Sequence, residues 1–264
     1  MIDGGLVHKE RHEFRALDTA VSIEPGKLSF TCSSWPADWF SRFAGPNAAM
    51  VFGLELIKQA VTATAHLHYR VTRDPAFVMH EIGLEVQSEP DSLLDTRELR
   101  LDLQVNRVLY RNRGTPRALN ASIAITRADE TLAQGHGHLG LIPAPTYARV
   151  RGQRAGLKTP GRSPCSIHAL VAGNPLPLRF PTNADNEYVF DHPVDHVPGM
   201  MLLAGALDLH DRIHPKMARA VEASFKGYAE FSDQIVLAMK PCQLSDGEIH
   251  AEQSGTRLAT IDIR

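Results

Sequence analysis

The chain is poor in cysteine: Cys32, Cys165 and Cys242 are the only three in 264 residues. They are too few and too widely spaced for a CxxC metal or redox pair, and an odd number argues against a disulfide framework, which fits a reducing cytoplasm. Long apolar runs are also missing. Nothing approaches the roughly 18 continuous residues of a spanning helix, and the opening stretch MIDGGLVHKERHEF has no apolar leader core. A soluble, unexported chain is therefore expected, with no membrane partner. Neither sign of charge is in excess: the formal net charge is −2, with acids and bases interspersed. That speaks against nucleic acid recognition through bulk electrostatics, so any anion must be met locally. FAGPN (43–47) lacks the glycine series of a phosphate-cradling loop. Neither an organic cofactor nor a metal is expected.

What the chain does have is enough apolar content, 43% hydrophobic residues, for one large domain or two small ones. Residues 47–69 are free of proline, follow Gly45-Pro46 and open on Asn47, a good N-cap, so they predict a helix. Val51, Leu54, Ile57, Val61 and Ala65 form an apolar stripe, while Glu55, Lys58, Gln59, Thr62 and His66 share a second face. Alternating runs follow at 77–87, 97–112, 118–128 and 132–142 and predict antiparallel strands.

Residues 143–182 hold seven prolines and show no periodicity, which reads as a linker or crossover. After them a Pro-Gly junction leads into the apolar run 200–209, with helix expected through about 222, and then four more strand-like stretches. Helix followed by strands occurs twice. The expectation is an α+β protein built as a duplicated unit, each copy packing one apolar helix against a curved antiparallel sheet. The boundaries are an N-terminal repeat at 1–145, a linker at 146–182 and a C-terminal repeat at 183–264.

Chemistry-bearing residues concentrate in VFDHPVDHVPGMMLL (189–203). Aligning Met50 near Met200 sets Glu55 opposite Ala204 and Gln59 opposite Asp208, so only the first helix carries the acid. Only the second pre-helix loop carries histidines, His192 and His196. Bland readings stand beside this one. His196 and Asp195 could serve as a loop or helix cap, and Glu55 with Lys58 and Gln59 could form a solvated face. His192 and His196 with His136 and His138 could bind zinc. In GLVHKE (5–10) a solvated lysine at the start of an edge strand is favoured over ligand binding.

The string DHVPGM (195–200) resembles the A-factor biosynthesis (AfsA-type) γ-butyrolactone synthase family. LVHKE (6–10) is similar to that family's amino-terminal motif. LELIKQA (54–60) is similar to its Glu-x-x-Arg-Gln-Ala, with Lys58 in place of arginine and Ala204 in place of a second-helix glutamate. The resemblance implies a tandem double hotdog, two repeats packed as a pseudo-dimer, each a long helix wrapped by a curved sheet. It implies one composite site, with His196 and Glu55 catalytic, Gln59 and Asp195 supporting, and backbone amides near Ala49 and Met50 facing a thioester carbonyl.

Moving an acyl group from a thioester to a hydroxyl needs a base at the hydroxyl and donors for the oxygen that becomes negative, and these residue types supply both. The activity implied is transfer of a β-ketoacyl group from acyl carrier protein or CoA to dihydroxyacetone phosphate or a similar phosphorylated three-carbon acceptor. Its product leads to a γ-butyrolactone, butenolide or furan signal. Alternatives are a hotdog dehydratase or thioesterase, or a non-catalytic module that binds acyl groups or acyl carrier protein. Arginine suits a phosphate best, and Arg70, Arg73, Arg107, Arg111, Arg113, Arg149, Arg151 and Arg154 are all available. With both repeats in one chain, a monomer suffices, and free sheet edges also allow a homodimer.

Overall fold

A computed structural model describes residues 2–32, 47–111, 114–156, 167–171, 173–176, 178, 186, 188–192, 194–214, 217–239 and 247–264. Cys165, Cys242, Arg113 and the Gly45-Pro46 junction lie outside them.

Among the described residues twelve strands form one sheet in the order β1-β2-β4-β5-β6-β3-β9-β12-β11-β10-β7-β8. The first half comprises β1 (Leu17–Glu24), β2 (Lys27–Cys32), helix α1 (Ala48–Leu67), β3 (Ala76–Val86), β4 (Leu99–Tyr110), β5 (Pro116–Arg127) and β6 (Glu130–Ile142). The second half follows the short helix α2 (Ala144–Arg151). It comprises β7 (Ile167–Val171), β8 (Asn174–Leu176), helix α3 (Gly199–Ile213), β9 (Ala220–Phe225), β10 (Ile235–Met239), β11 (Gly247–Gln253) and β12 (Thr256–Ile263). A helix followed by four strands thus occurs twice in the same chain order. The halves join antiparallel between β3 and β9, from Glu81↔Ser224 to Glu85↔Ala220.

The stretch expected to be a linker contains α2, β7 and β8. These strands are short, five and three residues, so no long alternation marks them, and the glycine of their turn, Gly173, is one among several in a proline-rich stretch. Helix α3 ends at Ile213 rather than near 222, because His214 precedes Pro215 and is extended (φ −105°, ψ 131°); the proline ring disfavours a helical residue before it.

Helix α1 is buried almost all round, including Glu55, Gln59, Thr62 and His66. Asn47 sits at its N-cap, but its side chain makes no capping bond. Its Nδ2 donates instead to Leu207 O of α3 at 2.9 Å, tying the two helices together. The GHGH run of β6 lets α1 lie close. A Cβ on Gly135 would collide with Ile57 Cδ1 of α1, and one on Gly137 would stand 3.0 Å from Val61 Cγ2. Period-2 alternation puts His136 and His138 on the other face, where Glu222 (3.0 Å) and Glu81 (3.7 Å) meet them.

Candidate active site

A cavity of about 330 Å³ opens where α1, the start of α3 and the β3/β9 seam converge. Met79, Ile82, Leu139, Leu203 and Phe225 give it an apolar wall, and Glu55, His192 and His196 also line it.

The loop before α3 is pinned by its own backbone, Val197 N donating to Ala229 O at 2.7 Å, and Pro198 at the N-cap begins the helix. His196 Nδ1 lies 2.7 Å from Asp195 Oδ1, and its ring meets Tyr228 edge-on at 4.9 Å. Asp195 is held from α2: the Tyr147 hydroxyl donates to Oδ1 (2.7 Å) and Arg151 Nε to Oδ2 (3.0 Å). Arg151 also grips Glu230 with both terminal nitrogens, at 2.6 and 3.0 Å, and stacks on Tyr228 at 4.5 Å. Burial alone would raise the Asp195 carboxyl, but the bonds from His196, Tyr147 and Arg151 outweigh it and hold it well below the usual carboxylate range. An ionised Asp195 can only accept, so Nδ1 of His196 carries the proton and Nε2 of the neutral ring is left as the acceptor.

Glu55 lies on α1 with no solvent exposure. Gln59, one turn on, donates Nε2 to Glu55 Oε1 (2.9 Å) and to Phe14 O (3.1 Å), and its Oε1 accepts Ala16 N (2.9 Å). The same amide thus orients the acid and fastens the amino-terminal segment to the helix. Lys58 Nζ stands 3.4 and 3.3 Å from the two Glu55 oxygens, and Lys9 Nζ is 3.8 Å from Oε1. Burial pushes the Glu55 carboxyl up. Lys58, Lys9, the Gln59 hydrogen bond and the neighbouring Tyr188 hydroxyl more than offset this, so it is lowered and ionised at neutral pH.

Lys9 is the surprise of the amino-terminal motif. It is buried rather than solvated: Nζ donates to Tyr188 O (2.9 Å), sits 3.8 Å above the Tyr188 ring and faces Asp191 at 3.7 Å. Burial lowers its pKa to about 8, against the opposing pull of Glu55 and Asp191. Asp191 Oδ1 in turn meets His192 Nδ1 at 2.6 Å, and its Oδ2 accepts Glu10 N at 3.0 Å.

Of the sequence-predicted residues, His196 and Glu55 line the one cavity, while Asp195 and Gln59 stand behind them. Ala49 and Met50 do not line it; both are buried in the core. The helix start that does is Gly199 and Met200 of α3, because that helix directly follows the histidine loop. Met201 N bonds Pro198 O (2.9 Å), and the amides of Gly199 and Met200 belong to the first turn, which has no intrahelical acceptor. The four histidines weighed for zinc are split between the cavity and the Glu81/Glu222 face, and no group of three or more metal-ligating side chains occurs among the described residues. Among the described residues no arginine lines the cavity, and the lysines that do are Lys9, Lys58 and Lys226. Sequence reasoning gave no role to His8 or Tyr188, read Lys9 as solvated, and weighed His192 as a loop histidine and for zinc without pairing it with Asp191. The signal for that pairing was in plain view, as the first Asp-His of the same string that held the second.

The fold is a double hotdog, and the cavity draws residues from both halves of the chain. HtdX of Mycobacterium tuberculosis superposes with a TM-score of 0.55 over 94% of this chain and 98% of its own, at 11% identity, which bears out the fold. No protein-family profile matches the chain. In sequence, the chain is 25% identical over 225 residues to the 2-oxo-3-(phosphooxy)propyl 3-oxoalkanoate synthase of Streptomyces virginiae, covering 78% of this chain and 74% of that enzyme. That relative bears out the resemblance to AfsA-type synthases drawn from the motifs. Among the described residues, no helix is long and apolar enough to cross a membrane.

Proposed function

We propose that the protein is an acyltransferase, moving a β-ketoacyl group from an acyl carrier protein or CoA thioester to the hydroxyl of dihydroxyacetone phosphate or a similar phosphorylated three-carbon acceptor. The carrying observation is the convergence on one cavity of the His196 imidazole and the ionised Glu55, each from a different half of the chain. The Streptomyces relative, whose name describes the ester such a reaction makes, supports the choice of reaction.

In this reading the apolar wall takes the acyl chain, and the thioester carbonyl lies at the start of α3. There the free amides of Gly199 and Met200 and the positive end of the helix meet the oxygen that becomes negative. His196 acts at the thioester, as base or, when protonated, as donor. Glu55 and the two lysines beside it form the polar end that receives the acceptor. The attacking oxygen bonds to the acyl carbon, the carbon–sulfur bond breaks, and one proton moves from hydroxyl to sulfur. One chain supplies both halves of the site, so a monomer is competent in the cytoplasm. The test is to incubate the protein with β-ketoacyl carrier protein, with and without the triose phosphate, and identify products by mass spectrometry. A phosphate-bearing ester is expected. Free acid in both reactions would replace the transferase reading with a thioesterase.

A further inference from the structure

The string DHPVDH holds two Asp-His pairs, and the structure builds them alike. Asp191 Oδ1 meets His192 Nδ1 at 2.6 Å, as Asp195 Oδ1 meets His196 Nδ1 at 2.7 Å. Both rings line the same cavity. Each carboxylate holds its ring's Nδ1 proton, so each leaves an Nε2 lone pair, and neither Nε2 has a partner among the described residues.

Their neighbourhoods differ. His196 sits beside Tyr228 and the start of α3. His192, through Asp191, belongs to the polar end with Lys9 at 3.7 Å, itself 3.8 Å from Glu55. Glu55 is ill suited to take a proton there, because its two oxygens already face Gln59, Lys58, Lys9 and Tyr188. His192 offers at that end a base whose Nε2 has no partner among the described residues, whereas the Nε2 of His8, which also lines the cavity, faces His66 Nε2 at 3.2 Å.

Resting on the acyltransfer reading above, we propose that Asp191-His192 is a second catalytic dyad whose Nε2 takes the proton of the attacking hydroxyl, while His196 serves the thioester end. Nε2 removes the proton as the hydroxyl oxygen bonds to the acyl carbon. The tetrahedral centre then expels sulfur with the carbon–sulfur electron pair, and the His192 imidazolium returns the proton to the thiolate, restoring the neutral dyad. Asp191 is a positioning residue in this scheme: it fixes the tautomer and stabilises the imidazolium.

The test uses His192→Asn, whose side-chain N–H can still serve Asp191 but which has no Nε2, and His192→Gly, which leaves room for free imidazole. Thiol release from the carrier thioester is followed with the triose phosphate, with water alone as the background. Expected are a loss of about 10²-fold or more in kcat for His192→Asn, an unchanged KM for the thioester, and recovery of His192→Gly by imidazole, growing with pH as imidazole loses its proton. A folded His192→Asn protein within threefold of wild-type kcat overturns the dyad. So does a lost kcat in His192→Gly that imidazole leaves unmoved. Absence of phosphate-bearing ester from the wild type bears instead on the acyltransfer reading, which the two variants do not touch.

Discussion

Lys9 Nζ and Glu55 Oε1 lie 3.8 Å apart, and the side chains are 2% and 0% exposed. Such a pair adds little net stability against an apolar replacement, but removing one partner leaves the other charge buried, at a cost of about 3–5 kcal/mol. Lys9→Met should therefore lower the free energy of unfolding by roughly 3 kcal/mol, with Lys58 softening the loss, and should raise the proton affinity of Glu55. Urea denaturation of Lys9→Met and of the double variant with Glu55→Leu checks this: the double variant should recover part of the loss. A single variant as stable as wild type would refute the buried pair.

Asp195 is aimed at His196 by Tyr147 and Arg151, both from α2. Asp195→Asn puts an amide against Nδ1, which can shift the ring proton to Nε2 and remove the lone pair from the cavity. A fall of about 10²-fold or more in kcat is expected, with a smaller change in KM. Arg151→Lys should fail to restore full activity, since a single ammonium cannot hold Asp195 and grip Glu230 with two nitrogens. Steady-state kinetics on the two variants decides; unaltered kcat in Asp195→Asn would remove Asp195 from the mechanism.

Acid should loosen the fold from a definite pH. Burial, helped by His66 and Lys58, lowers His8 to about 3, and burial with His214 lowers His210 to about 4. Unfolded imidazoles titrate near 6.5. Between that value and the folded ones, the unfolded chain binds protons the folded chain does not, so stability rises with pH there and is lost on acidification from about 6.5 downward. The depressed Asp191 and Asp195 add a further loss below the ordinary carboxylate range. Both ring nitrogens of His210 lack partners among the described residues, so His210→Met should flatten part of the slope. Urea midpoints from pH 7 to 4 measure it, and an unchanged slope in the variant would exclude His210.

Long alternating runs made β3 to β6 legible, and proline-free periodicity did the same for α1, because each repeats its pattern over many residues. Strands β1 and β2 gave no comparable signal, and β7 and β8 are too short to repeat one. The polar stripe of α1 read equally as a solvated face; only the packed amino-terminal segment, with Lys9 over Tyr188 and Phe14 beside Gln59, turns it inward. Arg151 was one arginine among eight until the fold brought Asp195 and Glu230 to it. The sequence could not show that Gly199 and Met200, rather than Ala49 and Met50, line the cavity: which of two helix starts lies beside His196 depends on how the halves pack, not on either local sequence.

A phosphorylated acceptor needs a cation, and the three that line the cavity are not equivalent. Lys9 is buried, with Tyr188 O, Glu55 and Asp191 around it, and Lys226 is exposed next to Gly227 and Tyr228, the stretch that meets His196. Lys58 stands where the family motif has arginine. Its side chain is 27% exposed, and its contacts to Glu55 are long, 3.3 and 3.4 Å, so it can turn toward an anion without abandoning a tight bond. Hydrogen bonds to charged groups contribute about 1.5–3 kcal/mol. Lys58→Ala should then raise the acceptor KM about tenfold or more and leave the KM for the carrier thioester alone. Lys58→Arg should keep or tighten acceptor binding, since a guanidinium matches phosphate with two parallel bonds. Acceptor titrations at saturating thioester measure both, and an acceptor KM indifferent to Lys58→Ala would place the phosphate elsewhere.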